Sequence, residues 1–546
     1  MNRDMPLQLW GGIECSVVRV GEGIRDQVVE TGHYHRSGDL ELVAGLGIRT
    51  LRYPVLWDRV RHGLAGEDWS WSDARLKRLR ELGIDPIAGL LHHGFGPRAD
   101  KVLDPLFSDA FASFALAVAQ RYPWIESFTP INEPLVTARC SGLYGLWYPH
   151  GTDEATCFRL LVAQCRAVAK AMAAIRTVSP GARLVQTEDF GRVFSTASLR
   201  HQADYENERR WLSIDLLAGR VDRSHMFYKI LLAAGASEYD LAELASEPCP
   251  PDVVGIDHYL TSDRFLDHRT ELHPGEYVGG NGSDVYVDIA AVRSECQDQA
   301  RLALRIGEVW ERYHLPLAVT ENHNGCTRDE QLRWLIEGWE AAGAARRKGA
   351  DVRAVTAWAL FGMVDWNSML VHRERHYEND AFDSRCQPPR PTALSHAIAK
   401  LAKGEDYDHP AMDGAGWWRS ESSPAKPARP IVLSGNGEFR SILEECCTAR
   451  RLSFLTGNAD IALQQPLPEL AWSSIHAEPG RASEGNSLRL SCRFADGGQL
   501  KVEADRAADW HCVADACLDL LIDDCRGTVR LLKAEPHNQY ELARMA

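Results

Sequence analysis

Residues 7–400 alternate two hydrophobic patterns: short runs rich in Val, Ile and Leu, and longer segments with apolar residues at helical spacing. Residues 72–82 and the alanine-rich residues 152–177 are typical of the second pattern. The phrase Leu-Gly-Ile occurs at 46–48 and again at 82–84, where glycine permits a left-handed helix end and an apolar run begins at once. The alternation predicts repeated βα units over a parallel sheet.

The number of apolar runs selects the architecture. Eight parallel strands with intervening helices predict a (β/α)8 TIM barrel, with insertions at 190–250 and 260–297. A doubly wound parallel sheet is the alternative. The eight predicted strands are Leu7–Ile13, Ile48–Tyr53, Ile84–Leu90, Ile125–Ile131, Ala182–Thr187, Val253–Ile256, Leu317–Thr320 and Val352–Trp358.

The composition changes after Leu401. The following stretch is rich in Asp, Gly, Ser and Pro, which is typical of a linker. A new apolar run at Ile431–Leu433 then predicts another strand, and Trp510–Ile522 has the spacing of an amphipathic helix. The predicted domains are a barrel at 1–402, a linker at 403–429 and a small C-terminal α/β tail at 430–546.

Charge and composition narrow the partners. The net charge of −15, without a Lys/Arg-rich run, argues against a nucleic acid or an anionic membrane as partner. No stretch approaches the roughly 18 apolar residues of a membrane span, and the first apolar run is too short for a signal peptide. The fourteen cysteines form no Cys-x-x-Cys pair and fit reduced, buried thiols. We therefore expect a cytoplasmic protein.

Polar side chains follow all eight predicted strands. In a (β/α)8 barrel the chemistry lies at the C-terminal ends of the strands. A single polar residue there often only caps a helix, but a complete set predicts a functional site. The residues are Glu14, Arg52, His92, His93, Asn132, Glu133, Glu188, Asp189, Asp257, His258, Tyr259, Glu321, Trp358, Asp365 and Trp366.

Two of these positions are glutamates that end β-branched runs, Glu133 and Glu321. A pair of carboxyl groups can cleave an acetal between sugars, since one protonates the leaving oxygen while the other stabilises the positive centre. Glu133 acts as the acid if burial or a neighbouring carboxylate raises its pKa. Glu321 stays ionised if a cation holds it, and Arg52 is the candidate.

We expect no metal and no cofactor. The adjacent residues His92 and His93 are possible metal ligands, but no carboxylate or cysteine stands at useful ligand spacing from them. A carbohydrate substrate is the expected partner. Its acid–base cleavage by two carboxyl groups requires neither a metal nor a cofactor.

The sequence around the two glutamates resembles a known family. Thr129–Pro134 and Val319–Asn322 are similar to the two signature motifs of glycoside hydrolase family 1, the retaining β-glycosidases. Further similar motifs follow the family's order along the chain: Leu51–Arg59, His92, Gly255–Tyr259 and Trp358–Trp366.

This resemblance implies roles for individual residues. Glu133 would be the general acid/base and Glu321 the nucleophile, with Arg52 and Tyr259 as partners of the nucleophile. It also implies a carboxyl separation of about 5 to 5.5 Å. The sugar-binding residues would be His92, Asn132 at the 2-hydroxyl, Asp257, Trp358, Asp365 and Trp366.

The chain also departs from the family pattern. The family's first strand brings a glutamine to the sugar, but no glutamine occurs between Trp10 and Val20, and Glu14 or Arg19 would act there instead. The family's Asn-Tyr pair is Asp257-His258, and a glutamate before the last tryptophan is Asp365. These positions contact the sugar, so an ordinary glucoside is not the assured substrate.

The tail resembles parts of the dTDP-4-dehydrorhamnose reductase family, at residues 429–437 and 517–523. Its glycine pattern is incomplete, with Arg440 near the position of the third glycine, and no Tyr-x-x-x-Lys pair occurs. We therefore expect a truncated remnant without a cofactor. The function predicted for the whole chain is retaining hydrolysis of a β-glycoside. The alternatives are a transglycosidase, a non-catalytic carbohydrate-binding protein and a sugar-nucleotide reductase.

Overall fold

The computed structural model describes residues 6–60, 67–97, 102–104, 106–420, 428–435, 437–457, 470–479, 487–505, 509–532 and 541–544. Contacts between residues divide the chain into two compact units. The first unit comprises residues 1–323, 338–360 and 368–371, and the second comprises 324–337, 361–367 and 372–546. The predicted division into barrel, linker and tail stays a prediction, and residues 421–427 of the linker lie outside the described residues.

The first unit contains a closed barrel of eight parallel strands. Their order around the barrel is β1-β8-β7-β6-β5-β4-β3-β2, and the pairing of Gln8 in β1 with Ala354 in β8 closes the sheet. The predicted (β/α)8 barrel is confirmed, and the doubly wound alternative is wrong because no strand of this sheet is left at an edge. The strands are β1 (Gln8–Gly12), β2 (Thr50–Pro54), β3 (Asp85–His92), β4 (Ser127–Asn132), β5 (Arg183–Asp189), β6 (Val253–His258), β7 (Leu317–Asn322) and β8 (Val352–Ala357).

The helices of the described residues follow the strands in the expected alternation, with additional helices after β5. None of the described helices is both long and apolar enough to cross a membrane. They are α1 (Gln27–Glu30), α2 (Asp39–Gly45), α3 (Trp57–Val60), α4 (Ser70–Glu81), α5 (Phe107–Arg121), α6 (Pro134–Ala138), α7 (Glu154–Val178), α8 (Arg200–Arg209), α9 (Leu212–Leu217), α10 (Tyr228–Ala233), α11 (Glu238–Ser246), α12 (Leu302–Tyr313), α13 (Arg328–Arg347), α14 (Ala393–Leu401), α15 (Gly437–Ala449) and α16 (Trp510–Ile522).

Side chains fill the interior of the barrel. Trp10, Ile87, Val185 and Ala318 come from β1, β3, β5 and β7 and pack into one buried cluster with Ala354 of β8. Layers built from alternate strands are typical of this fold and make the interior a packed core. The predicted insertions after β5 and β6 form a separate four-stranded sheet with the strands Val193–Ser195, Arg264–Asp267, Val278–Gly280 and Val285–Ala290.

The second unit contains a mixed seven-stranded sheet with the order β10-β9-β11-β12-β13-β14-β15. Helices α15 and α16 pack together, and the rings of Phe439 and Trp510 lie 5.6 Å apart. The predicted strand at Ile431–Leu433 lies in β9, and the predicted helix Trp510–Ile522 is α16. The strands are β9 (Ile431–Gly435), β10 (Phe454–Thr456), β11 (Ser473–Pro479), β12 (Ser487–Phe494), β13 (Gln499–Asp505), β14 (Gly527–Leu532) and β15 (Glu541–Arg544).

Buried ion pairs join separate segments within this second unit. Arg328 and Arg390 both contact Asp523 of the turn after α16, at 2.8 and 2.9 Å. Arg450 contacts Asp329, and Asp329 also pairs with Arg333 at 3.2 Å. Removing one partner of such a pair leaves an uncompensated buried charge, so substitution of a single partner is expected to destabilise this unit.

Candidate active site

The C-terminal ends of the barrel strands bring eight of the ten predicted site residues together. Parallel strands of one barrel end on the same face, so residues far apart in sequence meet there. Arg52 and His92 lie in β2 and β3, and Glu133 directly follows β4. The others of this group are Asn132, Asp257, Tyr259, Glu321 and Trp358.

Both oxygens of the Glu321 carboxylate accept strong hydrogen bonds. Arg52 donates to Oε1 at 2.8 Å, and the Tyr259 hydroxyl donates to Oε2. Arg52 also donates to the backbone oxygen of Thr320 at 2.8 Å, which fixes the guanidinium against β7. Burial and the Glu321 charge raise the pKa of Tyr259, so its hydroxyl keeps its proton and donates. The Glu321 side chain is therefore held at both of its oxygens.

Arg52 is itself fixed by two further side chains, Asn132 and Trp358. It donates to the Asn132 side-chain oxygen at 2.6 Å, and its guanidinium lies 4.5 Å from the ring centre of Trp358. Trp358 stacks in turn on His92, with ring centres 5.6 Å apart and planes inclined by 8°. An arginine enclosed in this way keeps its charge and its orientation, as a bidentate partner of carboxylates does.

Among the residues that the structure describes, no arginine or lysine pairs with Glu133. Its carboxylate lies 3.4 Å from His93 Nε2 and 3.5 Å from Asn132 Nδ2. Burial, followed by Arg52, lowers the pKa of His93 to about 3, so this imidazole is neutral. Burial raises the pKa of Glu133 well above its usual range, and the charges of Asp257 and Glu321 add to this effect. These surroundings favour the protonated form of Glu133.

The backbone at Glu133 is unusual. This residue adopts a left-handed conformation with φ of 42° and ψ of 68°, immediately before Pro134 at the first position of α6. Non-glycine residues pay for such a conformation with strain and often occur at functional sites. The sharp turn ends β4 and turns the Glu133 side chain away from the direction of the strand.

Asp257 is the third carboxyl group of the site and is completely buried. Its Oδ1 accepts a hydrogen bond from the Thr320 hydroxyl at 2.6 Å, and Arg52 lies 3.9 Å away. Burial, followed by the charge of Glu321, raises its pKa well above the usual value. One carboxylate oxygen from each of Asp257, Glu133 and Glu321 lies within 4.8 Å of the others.

This spacing bears on both catalysis and metal binding. A separation below about 5.5 Å between two catalytic carboxyl groups is the geometry of retaining glycosidases. Three close carboxylates could also hold a divalent cation, but both oxygens of Glu321 already accept hydrogen bonds, from Arg52 and from Tyr259. We therefore interpret Glu133, Asp257 and Glu321 as a cluster that holds and transfers protons, and we assign none of them as a metal ligand.

Three residues to which the sequence analysis assigned no catalytic or sugar-binding role support the site; His93 and Glu188 were among the polar strand ends, whereas Thr187 was not. The Thr187 hydroxyl donates to Asn132 Oδ1 at 2.7 Å and accepts from the backbone N–H of Glu133 at 3.3 Å. Glu188 accepts from the backbone of Leu135 at 2.9 Å and so holds the first turn of α6. His93 contacts Glu133. The positions of His93 and Glu188 at the ends of β3 and β5 could indicate a functional role from the sequence. Thr187 gives no such signal, because threonine is an ordinary β-branched residue within a strand.

The two substitutes considered for the missing glutamine have local roles. Glu14 is buried and accepts hydrogen bonds from the backbone and the hydroxyl of Ser16, at 2.9 and 2.5 Å. Arg19 donates to Gly21 and Glu22 at the surface, at 3.2 and 3.0 Å. In these positions both side chains stabilise the segment after β1.

Asp365 and Trp366 belong to the second unit. The Asp365 carboxylate accepts a hydrogen bond from the backbone N–H of His376 at 2.7 Å, in a turn where Asp365 has φ of 60°. Trp366 begins the short 3-10 turn Trp366–Ser368. Their part in sugar binding stays a prediction.

Known proteins resemble the barrel part of the chain. Beta-glucosidase 47 of Arabidopsis thaliana is 24% identical over 448 residues, covering 73% of this chain and 80% of the relative. The probable inactive beta-glucosidase 14 of Oryza sativa subsp. japonica is 22% identical over 61% of this chain and 74% of its own length. The structure of a beta-glucosidase from Thermotoga maritima in complex with deoxynojirimycin superposes with a TM-score of 0.59 at 16% identity, covering 74% of this chain and 99% of that chain.

A model of one protein family matches most of the barrel part of the chain. The profile of glycosyl hydrolase family 1 matches residues 18–377, about two thirds of the chain, and includes both glutamate motifs. The predictions of this family and of an O-glycosyl hydrolase are therefore confirmed. This chain belongs to glycosyl hydrolase family 1.

Proposed function

We propose that the chain hydrolyses a β-glycoside with retention of configuration, through a covalent glycosyl intermediate on Glu321. One observation carries this proposal: two glutamates of one site have opposite surroundings. Glu321 accepts from Arg52 and Tyr259, whereas burial and like charges keep Glu133 protonated. A retaining glycosidase needs this pair, one carboxylate that attacks and one acid that protonates.

In the first step, a Glu321 oxygen bonds to the anomeric carbon while the bond from that carbon to the leaving oxygen breaks. Glu133 gives its proton to the leaving oxygen, so the aglycone leaves as a neutral alcohol and Glu133 becomes a carboxylate. Asn132, fixed by Arg52 at 2.6 Å and by Thr187 at 2.7 Å, presents its amide nitrogen to the 2-hydroxyl.

In the second step, the Glu133 carboxylate takes a proton from water. The water oxygen bonds to the anomeric carbon from the side that the aglycone left, and the ester bond to Glu321 breaks. The nucleophile returns to its hydrogen bonds with Arg52 and Tyr259, which stabilise it as a leaving carboxylate. His92 and Trp358 are stacked face to face beside Arg52. Trp358 offers an apolar surface to the sugar ring, and His92 offers a polar one.

The decisive test is trapping of the intermediate. The chain is incubated with activated 2-fluoro-β-glycosides of several sugars, followed by peptide mass mapping. We expect a label on Glu321 and none on Glu133, because only the nucleophile forms the ester. Glu321→Gln is the matched control and should take no label. Absence of label with every sugar, together with glycoside cleavage by the wild type that does not exceed that of Glu133→Gln or of buffer, would exclude the hydrolase and favour a carbohydrate-binding protein.

The same intermediate distinguishes hydrolysis from transfer. Products formed with and without an added sugar acceptor show whether water or the acceptor cleaves the ester. We expect hydrolysis to dominate without an acceptor. Formation of a new glycoside as the main product at low acceptor concentration would support the transglycosidase alternative. NADH consumption in the presence of a sugar nucleotide would be needed to support a reductase.

Two finer predictions accompany this function. We propose that the tail is a truncated remnant of a reductase of the dTDP-4-dehydrorhamnose reductase type, supported by its similar segments at 429–437 and 517–523. A cytoplasmic location remains our expectation from composition. Equilibrium binding of NADPH to the full chain tests the remnant, and saturable binding would contradict the expectation that the tail takes no cofactor.

A further inference from the structure

Asp257 is a buried carboxyl group that the catalytic pair alone does not explain. Oδ1 accepts from Thr320 at 2.6 Å, while no hydrogen bond to Oδ2 is found among the described residues. An ionised oxygen enclosed by protein without a donor is costly, because burial removes its hydration. The nearest guanidinium nitrogen, on Arg52, lies 3.9 Å from Oδ1 and 2.8 Å from Glu321.

The charges around Asp257 do not balance if all carboxyl groups are ionised. Three carboxyl oxygens lie within 4.8 Å of one another, and Arg52 is the cation that contacts them. The neighbouring imidazoles are neutral, since burial lowers the pKa of both His92 and His93. The charged and titratable groups on the strand ends around Asp257 are Arg52, Glu133, Glu188, Asp189, Tyr259 and Glu321.

One guanidinium can compensate one carboxylate, and Glu321 takes that place through its direct hydrogen bond to Arg52. Two further negative charges at this distance would repel each other and Glu321 strongly in a buried site. The site as a whole must therefore hold two protons at neutral pH. Glu133 carries one as the acid, and the other is left for Asp257.

We propose that Asp257 is a positioning residue that holds a second proton beside Glu133, so that three carboxyl groups, rather than a pair, set the proton balance of the site. The kinetic consequence of this inference rests on the proposed function, whereas the protonation state of Asp257 does not. When Glu133 or Asp257 first loses a proton, the remaining proton is retained by the two groups together. Glu133 therefore remains partly protonated at higher pH than it would beside a neutral amide.

The test compares the wild type with Asp257→Asn, which has nearly the same shape and keeps an oxygen acceptor for Thr320. The matched control is Asp351→Asn, because Asp351 pairs with Arg353 at 2.6 Å just before β8, at the opposite end of the barrel. Two readouts are measured: net charge at pH 7 by native electrophoresis of the full chain, and the pH profile of kcat/KM with an aryl β-glycoside.

We expect the net charge of Asp257→Asn to equal that of the wild type, whereas Asp351→Asn loses one negative charge. We also expect the basic limb of the pH profile to move to lower pH by about one unit in Asp257→Asn and to stay in place in the control. A charge difference of one for Asp257→Asn, or an unmoved basic limb, would overturn the inference. If no variant and no wild type cleaves any glycoside, the proposed function fails, and the charge comparison still decides the state of Asp257.

Discussion

The two glutamates of the site have the same chemistry and opposite surroundings. Glu321 lies beside a fixed guanidinium and accepts a second hydrogen bond from the Tyr259 hydroxyl. Glu133 lies beside the neutral His93 imidazole, and burial, followed by the neighbouring carboxyl groups of Asp257 and Glu321, raises its pKa. Position within the barrel, and not residue type, therefore separates the nucleophile from the acid, because each environment favours a different protonation state.

The site has two corners, one around Glu321 and one around Glu133, and they differ in how the structure holds the carboxyl group. The partners of Glu321 come from two strand ends and hold the carboxylate directly: Arg52 from β2 and Tyr259 after β6. Arg52 is held in turn by its hydrogen bond to the backbone oxygen of Thr320 in β7. Glu133 is positioned through its backbone, by its left-handed conformation and by the Thr187 hydroxyl. Substitutions at the two corners should therefore have different kinetic signatures.

The largest expected effect is at the nucleophile. Glu321→Ala should lower kcat by at least about 10⁴-fold, because no other carboxylate can form the ester. Steady-state kinetics with an activated aryl β-glycoside measure this loss. Added azide should restore turnover and give a glycosyl azide of inverted configuration. An azide product of retained configuration would contradict the assignment of Glu321 as nucleophile.

Loss of the acid should depend on the leaving group. Glu133→Ala should lower kcat/KM by roughly 10² to 10⁴-fold for a poor leaving group, and far less for dinitrophenolate, which leaves without a proton. A series of aryl glycosides with different phenol acidities measures this dependence. Azide should rescue the second step and give a product of retained configuration. Equal losses across the series would show that Glu133 does not deliver the proton.

Much of this comparison could be predicted from sequence, and the reasons are local. Apolar runs that end in polar residues indicated the eight strands and both glutamates, because strand period and strand ends are visible in a linear pattern. The cluster of Asp257 with both glutamates could not be predicted, since it depends on distances between side chains of separate strands. Likewise, the left-handed backbone of Glu133 follows from a turn that tertiary packing imposes.

The tail shows the same limit. Strand β9 and helix α16 stand out as continuous apolar patterns and were predicted. The antiparallel strands β11 to β13 alternate polar and apolar residues, such as Ser474-Ile475-His476-Ala477-Glu478, and did not stand out as strands. The Arg328–Asp523 pair joins residues almost two hundred positions apart and leaves no trace in a local pattern.

The partner of the nucleophile offers a smaller, sharper test. Arg52→Lys keeps the positive charge but cannot bond Glu321, Asn132 and Thr320 together. Losing one or two charge-assisted hydrogen bonds costs about 2 to 4 kcal/mol, or roughly 30- to 1000-fold in kcat/KM. Kinetics together with thermal unfolding measure the effect and check the fold. Activity within about threefold of the wild type would show that charge alone suffices at this corner.

The smallest expected effect concerns Thr187, which links the two corners through Asn132. Thr187→Val removes a neutral hydrogen bond to Asn132 Oδ1 and an acceptor for Glu133 N–H. We expect a loss of about 5- to 160-fold in kcat/KM, at 0.5 to 1.5 kcal/mol for each of the two neutral bonds, and recovery in Thr187→Ser, which keeps the hydroxyl. If Thr187 acts by orienting Asn132 toward the 2-hydroxyl, the penalty should shrink with a 2-deoxy-glycoside. A penalty of the same size with both substrates would place the effect on Glu133 instead.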